Sequence, residues 1–165
     1  MASLPQVVHD HASTHLERVA IEVWDEGSGV TLRVSFKQLS DNLKSAAGFL
    51  QQVGGVGAGQ SCAILSHNTV AYICVSLGLM EIGATAIHLS WRQPDAVNLQ
   101  LVKELGSKLL LTSRPFAHVA KQAQHEAGVR LMLFESICPT PLESSLPFLR
   151  RRRSPRTRSA AITRP

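Results

Sequence analysis

Ser66-His67-Asn68 places a hydroxyl, an imidazole and a carboxamide side by side. All three side chains can donate and accept hydrogen bonds. The triplet follows the apolar run Ser61–Leu65, which reads as a strand, and precedes helix-spaced residues from Thr69 onward. Open α/β sheets bind their ligands beyond the carboxyl ends of the strands, so this is the best functional position on the chain. A plainer use exists for the same residues: Ser66 or Asn68 caps the next helix by accepting one of its free N–H groups. Ser90-Trp91-Arg92-Gln93 follows the next predicted strand in the same way. Arg92 there could meet an anion, although a surface turn explains it as simply. No residue earns a catalytic assignment, because no Ser–His–Asp or Cys–His arrangement can be argued from spacing alone.

Other chemistry-bearing groups are weaker. Gly54 to Gly59 suggests a phosphate loop, but it follows a helix and precedes a strand, and Gln60 occupies the third glycine position. Phosphate loops need the opposite order, with helix N–H groups facing the anion. A helix stop and connector is the better reading. His11 and His15 share a helix face and, with His9, could approach a metal; no Cys or carboxylate completes the set, so no metal site is assigned. Cys62, Cys74 and Cys138 lack C-x-x-C spacing and read as free thiols in a reducing compartment.

The elements that must position these groups are legible from their periods. Val19–Trp24 and Val30–Val34 read as a hairpin around the turn 25–29, after a short helix or turn over His9–Arg18. Ser35 caps a helix carrying Leu39, Leu43, Ala46, Ala47, Leu50 and Val53 inward, with Lys37, Asp41 and Lys44 facing water. After strand 61–65, Val70, Ile73, Leu77 and Met80 form one helical stripe, Gly83 closes the helix, and Thr85–Leu89 reads as a second buried strand. A helix from Pro94 or Asp95 to Leu105 would bury Val97, Leu101 and Leu105. Then come strand 108–111, a helix capped by Ser113 with Pro115 in its first turn and Phe116, Val119, Ala120 and Ala123 inward, and strand 129–134. This alternation implies an α/β fold: a doubly wound, mostly parallel sheet with flanking helices and an N-terminal β-hairpin.

Charge separates two regions. Of the net +5, residues 137–165 hold seven Arg and one Glu, while residues 1–136 hold ten basic and eleven acidic side chains. The expected division is therefore a folded domain, 1–136, and a Pro/Arg-rich disordered tail, 137–165. The run RRRRSPRTR could hold nucleic acid or an acidic partner, or act as a nuclear address, but it has no interleaved aromatic residues for base stacking. The N-terminus shows no secretory signal, and no apolar run reaches the ~18 residues of a spanning helix. A cytoplasmic location is expected.

Taken in order, Ser35-Phe36 and Leu39, Gly55-Val56 and Gly59, Ala63-Ile64-Leu65, Asn68, Leu79, and Gly83-Ala84 resemble the N-terminal portion of the adenylate-forming enzymes, the AMP-dependent synthetases and ligases that include acyl-CoA synthetases. Gln60 departs from the pattern, where the family usually carries Asp. The resemblance covers residues 15–135. It implies ATP-dependent activation of a fatty or aryl carboxylic acid to an acyl adenylate, followed by thioester formation, with ATP, Mg and CoA serving the complete enzyme. It also places Ser66, His67, Asn68, Trp91 and Arg92 at the rim of the acyl or CoA side. The family's phosphate loop, a Ser/Thr/Gly-rich run ending in Pro-Lys, is not among these 165 residues. The expectation is an N-terminal fragment that binds no cofactor and is inactive by itself. The alternative is a non-catalytic α/β interaction module with a basic tail.

Overall fold

A computed structural model describes residues 2–25 and 29–137. The tail expected from residue 137 lies, beyond Ile137 itself, outside the described residues. Helix α1 (Leu4–Thr14) leads into the hairpin of β1 (Val19–Asp25) and β2 (Gly29–Ser35). There follow α2 (Phe36–Gln52), β3 (Ser61–Leu65), α3 (Val70–Glu81), β4 (Thr85–His88), α4 (Asp95–Glu104), β5 (Leu109–Thr112), a 3₁₀ turn at Arg114–Phe116, α5 (Ala117–Ala127), β6 (Arg130–Leu133) and the short α6 (Phe134–Ile137). The hairpin is an antiparallel sheet of its own, and the other strands form a parallel sheet in the order β4-β3-β5-β6.

Alternation along the central strands creates two cores. Cys62, Ile64, Leu109 and Leu111 face one side, where they meet Ala46 and Leu50 of α2 and Ala71, Val75 and Leu79 of α3. Ala63, Leu65 and Leu110 face the other side and meet Leu99 and Val102 of α4 and Val119, Ala120 and Ala123 of α5. Strands buried on both faces read as unbroken apolar runs, which is how SCAIL and LLLT appear. A third cluster joins Val34 of the hairpin and Val8 of α1 to Leu39 and Leu43 of α2 and to Val70, Cys74 and Leu77 of α3.

Local chemistry explains most of the element ends. The Ser35 hydroxyl accepts from Gln38 N, and the Gln38 side chain accepts from Ser35 N, a reciprocal cap for α2. Gly128 ends α5 at φ 63° and Gly83 leaves α3 at φ 71°, both in the left-handed region that favours glycine.

Several expectations need correction. Helix α1 begins at Leu4, not His9, because Ser3 accepts from Gln6 N and Pro5 fits the first turn. Helix α3 has no single apolar stripe: it lies between the sheet and the layer of α2, α1 and hairpin, so buried residues surround it, while Met80 stays 47% exposed. Strand β4 is an edge strand with one neighbour and half-exposed side chains, not a buried one. Helix α4 turns inward on Asn98, Leu99 and Val102, leaving Val97 and Leu105 exposed. Ser113 makes no cap, and the chain passes through the 3₁₀ turn before α5.

Candidate functional site

The strand order sets the geometry. From β3 the chain moves outward to β4 through α3 on one face, then returns across to β5 through α4 on the other face. The loops after β3 and β5 therefore leave the sheet in opposite directions, and a crevice at their carboxyl ends follows. Ser66 ends β3 and Ser113 follows β5. Their hydroxyls meet inside the crevice, with Ser66 Oγ donating to Ser113 Oγ at 3.1 Å. Beside them Thr112 Oγ1 donates to the Leu65 carbonyl at 2.7 Å. Both serines are buried, so these bonds hold two strand ends together where no further ladder pairing exists.

His67 follows Ser66 and is exposed beside the crevice. Its ring lies 4.7 Å from Trp91, edge to face, and 4.8 Å from Phe116. The Arg92 guanidinium in turn sits over the Trp91 ring at 4.9 Å. The loop 89–93 that carries Trp91 and Arg92 is tied down by Asn98, whose buried amide donates to the Ser90 carbonyl at 3.0 Å. Next to this loop is a hollow of about 380 Å³, bordered by Ser66, Asn68, Tyr72, His88, Trp91 and Arg92. In its wall the Tyr72 hydroxyl and His88 Nδ1 are 2.6 Å apart. Partial burial lowers the His88 pKa below its ordinary value and raises that of Tyr72, so both side chains are held toward their neutral forms.

Four of the five candidate rim residues thus border one hollow, and His67 packs against Trp91 beside it. The helix-cap reading of Ser66 and Asn68 is replaced: Thr69 caps α3, accepting from Tyr72 N at 3.1 Å, while Ser66 turns to Ser113. Sequence reasoning missed Tyr72, His88, Ser113 and Phe116. His88 was findable as the last residue of a strand, at the end where ligands gather, and Tyr72 as the polar-tipped member of a helix's first turn.

The remaining candidates go elsewhere. His9 Nδ1 meets Ser40 Oγ at 2.8 Å and its Nε2 meets Glu81 at 3.2 Å, joining α1, α2 and α3. His11 packs on Phe36 at 4.9 Å. Among the described residues no group of three His, Cys, Asp or Glu side chains could hold a metal ion. The Gly54–Gly59 connector lies at the amino end of the sheet. It borders a second hollow of about 390 Å³, into which Arg130 reaches to donate to the carbonyls of Gly54 and Val53 at 3.1 and 3.2 Å. Those carbonyls belong to the two residues that follow α2, so this arginine ties the exit of the helix to β6. No described helix is long and apolar enough to cross a membrane.

Comparison with known proteins agrees with this architecture. A 2-succinylbenzoate–CoA ligase of Bacillus cereus (strain Q1) is 31% identical over 113 residues, covering 63% of this chain and 22% of its own length. The o-succinylbenzoate–CoA synthetase of Bacillus subtilis, solved with ATP and magnesium ion, superposes with a TM-score of 0.69 at 23% identity over 82% of this chain and 34% of its own. The N-terminal domain of FACL13 from Mycobacterium tuberculosis gives 0.73 at 19% identity over 88% and 37%. At such identities the superpositions establish the fold alone. The chain spans about a fifth of the length of the curated relative and about a third of these solved structures. The model of the family described as AMP-binding enzyme matches residues 8–153, and by that match, nine-tenths of its length on the expected α/β frame, the chain belongs to the AMP-binding, adenylate-forming enzymes.

Proposed function

We propose that this chain is the opening part of an ATP-dependent carboxylate–CoA ligase, one that converts an organic acid to an acyl adenylate and then to a thioester. The observation that carries the reading is the family match over residues 8–153. The likeness to a 2-succinylbenzoate–CoA ligase inclines the substrate toward an aryl rather than a fatty acid. In this reading the chain supplies the scaffold and one wall of the acid pocket, with Ser66, His67, Asn68, Trp91 and Arg92 at its rim.

ATP and magnesium are implied by the family, yet the residues present do not fit them. No metal-holding cluster occurs among the described residues, and the glycine connector sits at the end of the sheet opposite the crevice, with an arginine already bound to its carbonyls. Adenylation depends on positioning the triphosphate and neutralising its charge. We therefore hold that residues 1–165 alone do not adenylate. ATP–pyrophosphate exchange with a panel of fatty and aryl acids tests this, with buffer-level exchange expected; turnover well above the control refutes it. The ligase reading is tested separately by sequencing the transcript across the codons for residues 130–140. A form that continues into a Ser/Thr/Gly-rich run ending in Pro-Lys supports it, and its absence from every transcript counts against it.

A further inference from the structure

We infer that the open edge of β4 is a self-association surface, on which a second copy of this chain lays its own β4 antiparallel and joins two parallel sheets into one. The inference goes beyond the ligase reading and does not depend on it.

Backbone bonding fixes both the edge and the register. Thr85 N donates to the Gln60 carbonyl and Leu89 N to the Ile64 carbonyl, at 2.8 and 2.9 Å, so the odd-numbered residues of the strand face β3. The N–H and C=O groups of Ala86 and His88 therefore point away from the sheet, where β4 has no second neighbour among the described residues. On either side of them the outward groups are already engaged. Ala84 N donates to the Leu79 carbonyl, and the Ser90 carbonyl accepts from the Asn98 amide and from Gln93 N. One antiparallel self-pairing uses every free group and no engaged one: Ala86 of each copy opposite His88 of the other, about a two-fold axis through Ile87.

The side chains suit that register. Thr85–His88 holds no Lys, Asp, Glu or Pro, the residues that blunt an exposed edge. Ile87, half-buried against the core of α4 and α5, meets its own copy in a non-hydrogen-bonded pair, the closer kind at about 4.5 Å between Cα atoms. On the other face α3 and its copy run antiparallel, so the last turn of each helix lies toward the loop that carries Arg92 in the other. Charge matches there. Glu81, one of whose oxygens meets His9, adds to the negative end of the helix, and Arg92 has no ion-pair partner among the described residues. A four-residue ladder is short against the ~1,200 Å² that stable interfaces bury, so the dimer is weak, with a Kd on the order of 10–100 μM.

The test is sedimentation velocity of the 165-residue chain from about 1 μM to about 1 mM, with a monomer–dimer equilibrium expected. Ala86→Lys should weaken it by roughly tenfold or more, with circular dichroism unchanged. Should Ala86→Lys unfold the chain, Arg92→Glu supplies a second arm: it should weaken the dimer several-fold, and adding Glu81→Arg should restore part of the loss. Register is read by oxidation in a Cys138→Ser background, which leaves only the buried Cys62 and Cys74. Ile87→Cys should form an intermolecular disulfide roughly tenfold faster than Ala86→Cys, since only residue 87 faces its own copy within disulfide reach. A monomer throughout the range, association indifferent to both Ala86→Lys and Arg92→Glu, or equal cross-linking at 86 and 87 overturns the proposal. So do Ala86 and His88 amides already protected from deuterium exchange in the monomer, which would assign the edge to another segment of the same chain. The ligase reading survives any of these failures, because neither exchange activity nor the transcript enters the measurement.

Discussion

The two ends of the parallel sheet carry hollows of nearly equal size, about 380 and 390 Å³, yet they are chemically unlike. At the amino end an arginine reaches in and donates to the carbonyls of the two residues that follow α2. At the carboxyl end an arginine lies on a tryptophan face, and no Asp or Glu among the described residues borders the hollow beside it. Volume does not separate the two places; what separates them is whether the polar groups already have partners. The amino end is a joint, whereas the carboxyl end presents Arg92 without an ion-pair partner among the described residues. Strand polarity underlies the contrast, since crossing connections diverge only beyond the carboxyl ends.

Substitutions sharpen or break that contrast. The largest effect belongs to Gly54→Ala, where a Cβ would stand 2.4 Å from the Leu50 carbonyl oxygen. Destabilisation of about 3 kcal/mol is expected from such overpacking, read as a lower urea midpoint; a shift below ~0.5 kcal/mol would show that the joint yields freely. Arg130→Ala follows, at about 1–2 kcal/mol for two hydrogen bonds from a charged donor. Arg130→Lys should recover only part of that loss, as a point charge replaces a fork. Arg92→Gln, its counterpart at the other end, should leave the urea midpoint within about 0.5 kcal/mol of the parent. If Arg92 proves as costly as Arg130, the contrast between the two ends collapses.

Ser66→Ala comes next, at about 1 kcal/mol, because it leaves a buried Ser113 oxygen without its donor. Adding Ser113→Ala should cost little more, since the pair acts as a unit. The smallest effect is a pH dependence at His88. Its folded pKa lies below the ordinary 6.5 through burial. As pH falls below 6.5 the unfolded chain takes up the proton first, so stability is full above that value and is lost toward the folded pKa. His88→Gln should flatten this limb of the stability–pH curve. A limb left unchanged would show that another group causes it.

How far the sequence could be read depended on how many partners each residue has. The capping boundaries at Ser35, Gly83 and Gly128 were legible, because a cap is made by neighbours in the chain. Central strands such as Leu109–Thr112 were legible because both of their faces are buried. Helix α3 misled because its partners lie on two sides, which erases the stripe that a single burial face produces. The inward face of α4 was misjudged by one position for a related reason: Asn98, a polar residue, is an anchor there, and a search for apolar spacing passes over it. Ser66 lay at the expected place but with the wrong partner, since Ser113 is 47 residues away and no local rule brings it near. The Tyr72–His88 pair escaped notice likewise, joining a helix start to a strand end across 16 residues.

Helix α3 has one further consequence. Its Ala71, Val75 and Leu79 belong to the sheet core, while its Val70, Cys74 and Leu77 belong to the hairpin core. Neither half of the molecule can come apart while the other stays whole, because each would strip the same cylinder of half its neighbours. Melting should accordingly be a single event, and the slowest amide protons to exchange with deuterium should be found along 74–79, in the segment that both halves share.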